Sequence, residues 1–179
     1  MPHITVLDQS TINKIAAGEV IERPSSVVKE LLENAIDAQA TAVTVEIRDG
    51  GISYIRVTDN GCGIPKEEVP LAFLRHSTSK IKSVEDLFTV SSLGFRGEAL
   101  SSIASVAQVE LITKTSEQLS GTRYQIEGGV ERSYEEVGAP DGTTFLVRNL
   151  FYNTPARQKF LKTAQTEGSH VAALVEKIA

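Results

Sequence analysis

Residues Val27 to Ala38 read VVKELLENAIDA, and the spacing of their apolar positions predicts an amphipathic helix. One side of this helix would be apolar and would pack on a core; it carries Val28, Leu31, Leu32, Ala35 and Ile36. The other side carries polar groups at i, i+3, i+4 and i+7, namely Glu30, Glu33, Asn34 and Asp37. Carboxylates this close repel one another unless a cation lies among them. The stripe is therefore either a solvated acidic surface or one wall of a metal-nucleotide site.

The composition bounds the class of protein. With 179 residues, 41% of them hydrophobic, the chain is long enough for one domain to bury a core without disulfides or metals. Its net charge of -5 argues against a domain-wide nucleic-acid surface, because such surfaces are basic. The single cysteine, Cys62, excludes an internal disulfide and a Cys-based zinc site, and it is expected to be a small buried residue of a glycine-rich loop.

Neither a membrane span nor a secretion signal is visible in the sequence. No apolar run approaches the roughly 18 residues that a spanning helix needs. The first residues, MPHITVLDQS, lack the charged and apolar regions of a signal peptide. We therefore expect an intracellular soluble domain with no membrane partner, cytoplasmic in a bacterium and nuclear in a eukaryote.

The first half of the chain contains most of the predicted helices and a few short strands. Residues 3–7 alternate as a strand, and residues 11–20 read as a helix interrupted at Gly18. The segment 23–26 is a loop with an N-cap for the helix quoted above. Residues 41–48 and 52–58 alternate as two strands of a hairpin that turns at residues 49–51. Residues 65–75 read as a helix in spite of Pro70.

The second half is richer in strands. Residues 76–97 are polar and too long for an ordinary connection, and a segment of this length is typical of either a functional lid or a disordered loop. A helix is predicted at 98–106, strands at 108–113, 122–127, 130–136 and 143–147, and a closing helix at 166–178. Helices that come early and antiparallel strands that come late predict an α+β fold. We expect a two-layer sandwich in which helices cover one face of a mixed, mostly antiparallel sheet.

Three further motifs offer chemistry. Asp59-Asn60-Gly61-Cys62-Gly63-Ile64 follows a strand and offers an acceptor for an exocyclic amine beside backbone that can lie flat on a planar ring. GFRGEAL at 94–100 opens a helix, whose free N–H groups can bind phosphate. Gly142-Thr143-Thr144 offers a hydroxyl beside a glycine. Each motif alone is equally typical of a turn or a hinge.

Two common nucleotide sites are excluded by pattern. The sequence has no GxxxxGK(S/T) stretch, so it is not a P-loop protein, and no GxGxxG follows a strand as a dinucleotide site requires. His3, His76 and His170 are scattered without the spacing of metal ligands.

The order of the motifs resembles the GHKL ATPases and, within that group, the MutL family of DNA mismatch-repair proteins. The resemblance rests on ELLENAIDA (30–38), DNGCGI (59–64), GFRGEAL (94–100) and GTT (142–144). IAAGEVIERP (15–24), HSTSK (76–80) and NLFYNTPAR (149–157) are similar to signatures of the MutL family as well. The resemblance covers nearly the whole chain and implies the GHKL ATP-binding fold.

That resemblance implies a role for each motif. Spacing alone leaves Glu30, Glu33 and Asp37 as alternatives for the general base, and the family pattern implies Glu30. Asn34 would hold Mg²⁺, Asp59 would accept from the adenine amino group, and Thr143 would support that end of the site. The implied nucleotide contacts are Asn34, Ala38, Asp59, Gly63, Ile64, Thr78, Ser79, Lys80, Gly94, Phe95, Arg96, Gly97, Glu98, Ala99, Leu100 and Thr143.

The family also implies how the chain is organised. Residues 1–179 would form one ATP-binding domain, with residues 1–20 as an arm that packs across a twofold partner and 76–97 as an ATP lid. The alternative for residues 1–20 is an ordinary edge strand and helix of the monomer. Implied partners are ATP or ADP, a second copy of the chain, a mismatch-recognition protein and other repair factors, and DNA through the full-length protein. The next domain of the family supplies a lysine to the γ-phosphate. We therefore expect slow Mg²⁺-dependent ATP hydrolysis that switches a dimer, or alternatively an ATP-gated interaction module with negligible turnover.

Overall fold

The fold is a six-stranded sheet with helices packed on one face. The structure is a computed structural model and describes residues 9–74 and 99–178. Within these ranges the helices are α1 (Gln9–Val20), α2 (Pro24–Asp37), α3 (Val69–Ala72), α4 (residues 99–106), α5 (Pro155–Lys159) and α6 (Ala164–Ile178). The strands are β1 (Val43–Arg48), β2 (Tyr54–Asp59), β3 (Gln108–Lys114), β4 (Gly121–Glu127), β5 (Val130–Val137) and β6 (Gly142–Arg148). The predicted strand at 3–7 and the predicted lid at 76–97 lie outside the described residues.

The strands follow the order β1-β2-β6-β3-β4-β5, and each neighbouring pair in this order is antiparallel. The last strand of the chain therefore lies between two earlier ones, which joins the β1–β2 hairpin to the β3–β4–β5 meander. A 3₁₀ turn at Asp49–Gly51 closes the hairpin. These pairings confirm the predicted α+β class and the predicted hairpin.

Burial alternates along the strands and shows which face the helices cover. On the covered face, Ile55 and Val57 of β2, Leu111 of β3 and Phe145 of β6 are at most 3% exposed. They belong to one apolar core with residues from the helices, including Val27, Val28, Leu31 and Ile103. On the outer face, Glu110 forms ion pairs with Arg123 and Arg148. The apolar face of α2 is thus held against the sheet by burial of its Val and Leu side chains, each worth about 1.5–3 kcal/mol.

Helix α2 differs in two details from its prediction. It begins at Pro24 rather than after Ser26, because proline suits the first turn and the Ser26 hydroxyl accepts from the N–H of Arg23 at 3.4 Å. Ile36, predicted in the apolar face, is 57% exposed, whereas Glu30 is only 8% exposed. The two residues flank opposite sides of the buried stripe, and the helix is turned so that the Glu30 side faces inward.

Three other local predictions are wrong. Helix α1 runs unbroken through Gly18. The helix predicted at 65–75 is a 3₁₀ turn at Lys66–Glu68 followed by the single turn of α3, because Pro70 has no N–H with which to continue the hydrogen-bond ladder. Cys62 is exposed rather than buried. Its backbone N–H bonds the carbonyl of Ala38 at 3.0 Å, which leaves the side chain facing solvent.

None of the helices in the described ranges is long and apolar enough to cross a lipid bilayer.

Candidate functional site

A cavity of about 450 Å³ opens between the C-terminal end of α2 and the covered face of the sheet. Seven of the predicted nucleotide contacts line it: Asn34, Ala38, Asp59, Gly63, Ile64, Leu100 and Thr143. These residues come from α2, β2, the loop after β2, α4 and β6. The fold therefore brings together motifs that are more than one hundred positions apart in the chain.

Asp59 forms one end of the cavity, at the last position of β2 and 9% exposed. Its Oδ1 accepts the N–H of Gly61 at 2.8 Å. Burial raises the pKa of Asp59 above the usual 3.8, while hydrogen bonds from the backbone of Gly61 and of Thr143 act in the opposite direction. A buried, oriented carboxylate of this kind can accept hydrogen bonds from a donor group on a ligand.

The loop after β2 is held by three anchors. The Asn60 side chain accepts from the N–H groups of Thr41 and Ala42 at 2.8 and 2.9 Å, so it holds the loop against the segment before β1. Gly61 lies against Ala38, where a Cβ would approach the Ala38 Cβ and carbonyl oxygen to 2.7 Å. Gly63 has φ +75 and lies so close to β3 that a Cβ would be 2.1 Å from the carbonyl oxygen of Lys114. Only glycine fits at position 63.

Thr143 is the partner of Asp59 across the β2–β6 pair and is 6% exposed. On its other side Thr143 pairs with Thr113 of β3, and the two hydroxyl oxygens are 2.9 Å apart. Thr113 pairs in turn with Thr122 of β4. Asp59 thus begins a row of polar side chains that crosses the covered face of the sheet through Thr143, Thr113 and Thr122.

The α2 side of the cavity is acidic. Asn34 and Asp37 line it, and Glu30 lies one helical turn before Asn34, buried and outside the set of lining residues. Glu33 is half-buried. The sequence left Glu30, Glu33 and Asp37 as alternatives for the general base, and the structure separates them by burial: only Glu30 among the three is buried.

The structure also names lining residues that the sequence reading did not include: Asp37, Glu68, Leu71, Ala72 and Phe145. Asp37 belongs to the acidic stripe predicted from the sequence, but the resemblance implies no nucleotide contact for it. Phe145 follows Thr143 by two positions on the same strand, so alternation could have found it. Leu71 and Ala72 belong to a turn whose position depends on the tertiary fold.

Several predicted contacts are not placed in the cavity. Ala99 is fully buried and is not one of the lining residues. The predicted phosphate contacts in the lid and in the glycine loop lie outside the described residues; they are Thr78, Ser79, Lys80, Gly94, Phe95, Arg96, Gly97 and Glu98.

The charges of the lining residues show whether the cavity can hold the predicted Mg²⁺. Its lining includes Asp37, Asp59 and Glu68 and, within the described ranges, no basic side chain. Those ranges also contain no group of three or more His, Cys, Asp or Glu side chains that could hold a metal by itself. The donor set suits a cation that the protein holds through few ligands, as Mg²⁺ is held when phosphate oxygens supply the rest.

Two arginines of the strands β5 and β6 form ion pairs with carboxylates. Arg148 lies 3.3 Å from Glu110, and Arg132 lies 3.7 Å from Glu127. Arg157 lies over the ring of Phe151 at 5.9 Å and beside Gly18. These three side chains are therefore held by contacts within the protein.

Comparisons with known proteins agree with this geometry. The family model described as "Histidine kinase-, DNA gyrase B-, and HSP90-like ATPase" matches residues 21–141. The DNA mismatch repair protein MutL of Agathobacter rectalis is 72% identical over 179 residues, which is 100% of this chain and 28% of that protein. MutL of Desulforamulus reducens is 56% identical over the same length, again 28% of the relative. The chain thus spans less than a third of these relatives.

Solved structures match as well. The Aquifex aeolicus MutL ATPase domain complexed with ADP superposes with a TM-score of 0.70 at 38% identity, covering 89% of this chain and 56% of that one. The N-terminal domain of a DNA repair protein superposes with a TM-score of 0.76 at 35% identity, covering 96% of this chain and 49% of that one. The chain therefore belongs to the histidine kinase-, DNA gyrase B- and HSP90-like ATPase family, and within the comparisons it is similar to the ATPase domain of MutL proteins.

Proposed function

We propose that this domain binds ATP in the cavity between α2 and the sheet and hydrolyses it slowly with Mg²⁺, as the nucleotide switch of a DNA mismatch-repair protein. The proposal rests on the observation that one cavity has residues suited to a base at one end and residues suited to a metal at the other. Asp59, Gly63 and Thr143 form an end that suits a planar base with an amino group, and Asn34 on α2 borders the acidic end. The related Aquifex domain was solved as a complex with ADP, which supports a nucleotide as the ligand.

Hydrogen-bond acceptors of the protein would recognise the base of the nucleotide. Asp59 presents a carboxylate that the backbone already orients through Gly61 and Thr143. An exocyclic amine has two N–H donors and matches such a group, whereas a carbonyl at the same position would face its negative charge. Leu71, Ala72 and Phe145 supply apolar surface for the ring.

At the phosphate end, Glu30 would orient the attacking water and accept its proton. The residue is 8% exposed and lies on the same face of α2 as Asn34, so both side chains point toward the same region. Asn34 would hold Mg²⁺, which when bound supplies positive charge to the phosphates. Lys80 and the loop of residues 94–100 would contribute the remaining phosphate contacts.

ATP binding would also change the assembly. We propose that residues 1–20 pack across a second copy of the chain, that 76–97 close over the nucleotide, and that the ATP state is read by a mismatch-recognition protein and other repair factors. DNA binding would belong to the full-length protein, which would work in the cytoplasm if the source is a bacterium and in the nucleus if it is a eukaryote.

Single-turnover hydrolysis of ATP tests the enzyme proposal. We expect Glu30→Gln to reduce the rate by about 100-fold or more while ATP affinity stays within about twofold, since general-base catalysis is worth that much. Glu33→Gln, on the same helix, is the matched control and should keep the wild-type rate. The experiment is best made on both this domain and the full-length protein, because the family pattern implies a further lysine from the next domain.

A second candidate function is an ATP-gated interaction module with negligible turnover. The charges favour it for the isolated domain, because no basic side chain lines the described part of the cavity to stabilise the transferring phosphoryl group. Equal, near-zero hydrolysis by wild type and Glu30→Gln in the full-length protein, with ATP binding intact, would establish this module and contradict the enzyme.

A further inference from the structure

We propose that Thr113 is a positioning residue of the base end: its buried hydroxyl locks the Gly63–Ile64 loop and the Thr143 hydroxyl together, and so sets the preference for an amino purine. The inference rests on the proposed function and deepens it. Thr113 does not line the cavity, and neither composition nor motif spacing points to it.

Thr113 has contacts on three sides. It is 1% exposed, at the second-last position of β3. Its Oγ1 accepts the N–H of Ile64 at 2.9 Å, donates to the carbonyl of Gly142 at 3.0 Å, and lies 2.9 Å from Oγ1 of Thr143. One side chain thus connects the loop after β2 with the start of β6, and each of these carries a lining residue of the cavity.

The chemistry of a hydroxyl assigns the direction of these bonds. A threonine has one proton to donate and two lone pairs to accept. The Gly142 carbonyl can only accept, and the Ile64 N–H can only donate. The arrangement that satisfies all three contacts therefore has Thr113 donating to Gly142 and accepting from both Ile64 and Thr143.

This direction determines what Thr143 offers to a ligand. Because its proton is committed to Thr113, the Thr143 oxygen can only accept from a group in the cavity. Asp59, its partner on the neighbouring strand, is an acceptor as well. Two acceptors side by side favour a 6-amino purine, which donates, over a 6-oxo purine, which accepts. Without the Thr113 hydroxyl, Thr143 would be free to donate and the preference would weaken.

The loop depends on the same hydroxyl. Gly63 already lies against the backbone of β3, and the Ile64 N–H is the next donor along the loop. Removing its acceptor leaves this partly buried N–H without a partner in the folded state, which costs about as much as a lost hydrogen bond. We therefore expect Gly63 and Ile64 to lose their fixed position beside the base.

The test compares ATP with ITP, its 6-oxo analogue, by calorimetry on the wild-type protein and on Thr113→Val and Thr113→Ser. Thr113→Val keeps the shape and removes the hydroxyl. It should weaken ATP binding about fivefold or more and reduce the ATP/ITP affinity ratio, while Thr113→Ser should restore both. The matched control is Thr144→Val on β6, whose hydroxyl bonds Thr58 at 3.3 Å on the outer face of the sheet and should leave both quantities unchanged.

The outcomes separate this inference from the function on which it rests. If the wild-type protein binds neither nucleotide, the proposed function fails. If the wild type prefers ATP and Thr113→Val has the same affinity and ratio, or if Thr113→Ser behaves like Thr113→Val, the role of the hydroxyl is overturned. Hydrogen exchange at Ile64 in nucleotide-free wild type is a second measurement that needs no variant: the amide should be protected, and free exchange would contradict the proposal.

Discussion

Asp59 and Thr143 are direct partners across the β2–β6 pair, so the carboxylate and the hydroxyl at the base end of the cavity are placed by the register of the sheet. Side chains on a strand alternate between its two faces. A slip of one residue in this pair would therefore turn one of the two groups to the outer face and destroy the site. The long-range pairing of strands that are far apart in the chain is thus a condition for the chemistry.

Asp59→Asn should weaken ATP binding by about tenfold or more. The change replaces an oriented negative acceptor by a neutral amide, and hydrogen bonds to charged groups contribute about 1.5–3 kcal/mol. Calorimetry measures the affinity. Asp49→Asn is the control, because Asp49 is an exposed aspartate whose carboxylate bonds Ser53 away from the cavity. An unchanged ATP affinity in Asp59→Asn would contradict the assignment of the base end.

The ATP affinity should fall on acidification, with a midpoint above the 3.8 of an ordinary aspartate, because burial raises the pKa of Asp59. Protonation turns one acceptor oxygen into a donor that faces the amino group. Affinities measured from pH 8 to pH 4.5 should show this loss in the wild type. In Asp59→Asn the affinity should change only through titration of the ATP phosphates. The additional loss in the wild type then reports protonation of Asp59.

The raised pKa of Asp59 also affects the stability of the fold, and here acid favours the folded state whereas it weakens ATP binding. Since the folded state raises the pKa of Asp59, the contribution of this group to stability is fully present below its unfolded value and is lost as pH rises through the folded value. Asp59→Asn should therefore have a higher Tm than wild type at pH 7 and a similar one near pH 4. A lower Tm for the variant at pH 7 would show that the hydrogen bonds to the carboxylate outweigh its burial.

Gly63→Ala should destabilise the protein more than Gly129→Ala. Both glycines have positive φ, +75 and +83, so both substitutions cause backbone strain of about 1–3 kcal/mol. Only at Gly63 would the new Cβ also meet backbone, the Lys114 oxygen at 2.1 Å, whereas nothing lies within 4 Å at Gly129. Denaturant unfolding measures the difference in free energy of unfolding. Only Gly63→Ala should abolish ATP binding, and equal effects of the two variants would contradict the close contact with β3.

Gly18→Ala should have different effects on stability in the wild type and in an Arg157→Ala background. Alanine favours a helix interior by about 0.5–1 kcal/mol. In the wild type, however, the new Cβ would lie 1.9 Å from the Arg157 guanidinium and would displace it from the Phe151 ring, an interaction worth about 0.5–1 kcal/mol. We expect little net change in the wild type and a stabilisation of about 1 kcal/mol in Arg157→Ala. Denaturant unfolding of the four proteins tests this, and equal effects in both backgrounds would show that Gly18 and Arg157 are not coupled.

Local patterns were enough to predict most elements of the fold. Alternation located β1 to β6 within a few residues, and the spacing of Val28, Leu31 and Leu32 identified the buried face of α2. The errors lay in the weight given to single residues, too much to Gly18 and too little to Pro70. Gly18 does not interrupt α1, and the Arg157 guanidinium packs beside it. Pro70 shortened a predicted helix to one turn.

The residue types and their order along the chain were enough to propose the chemical groups of the candidate site. Asp59, Gly63, Asn34 and Thr143 could be named as candidates because their residue types and order suit a nucleotide. The tertiary structure was needed to show which of the three acidic residues on α2 is buried. It was also needed to show that Thr113 contacts Thr143 and Ile64. The physical reason is that burial and strand register depend on contacts between segments far apart in the chain, and neither periodicity nor motif spacing contains that information.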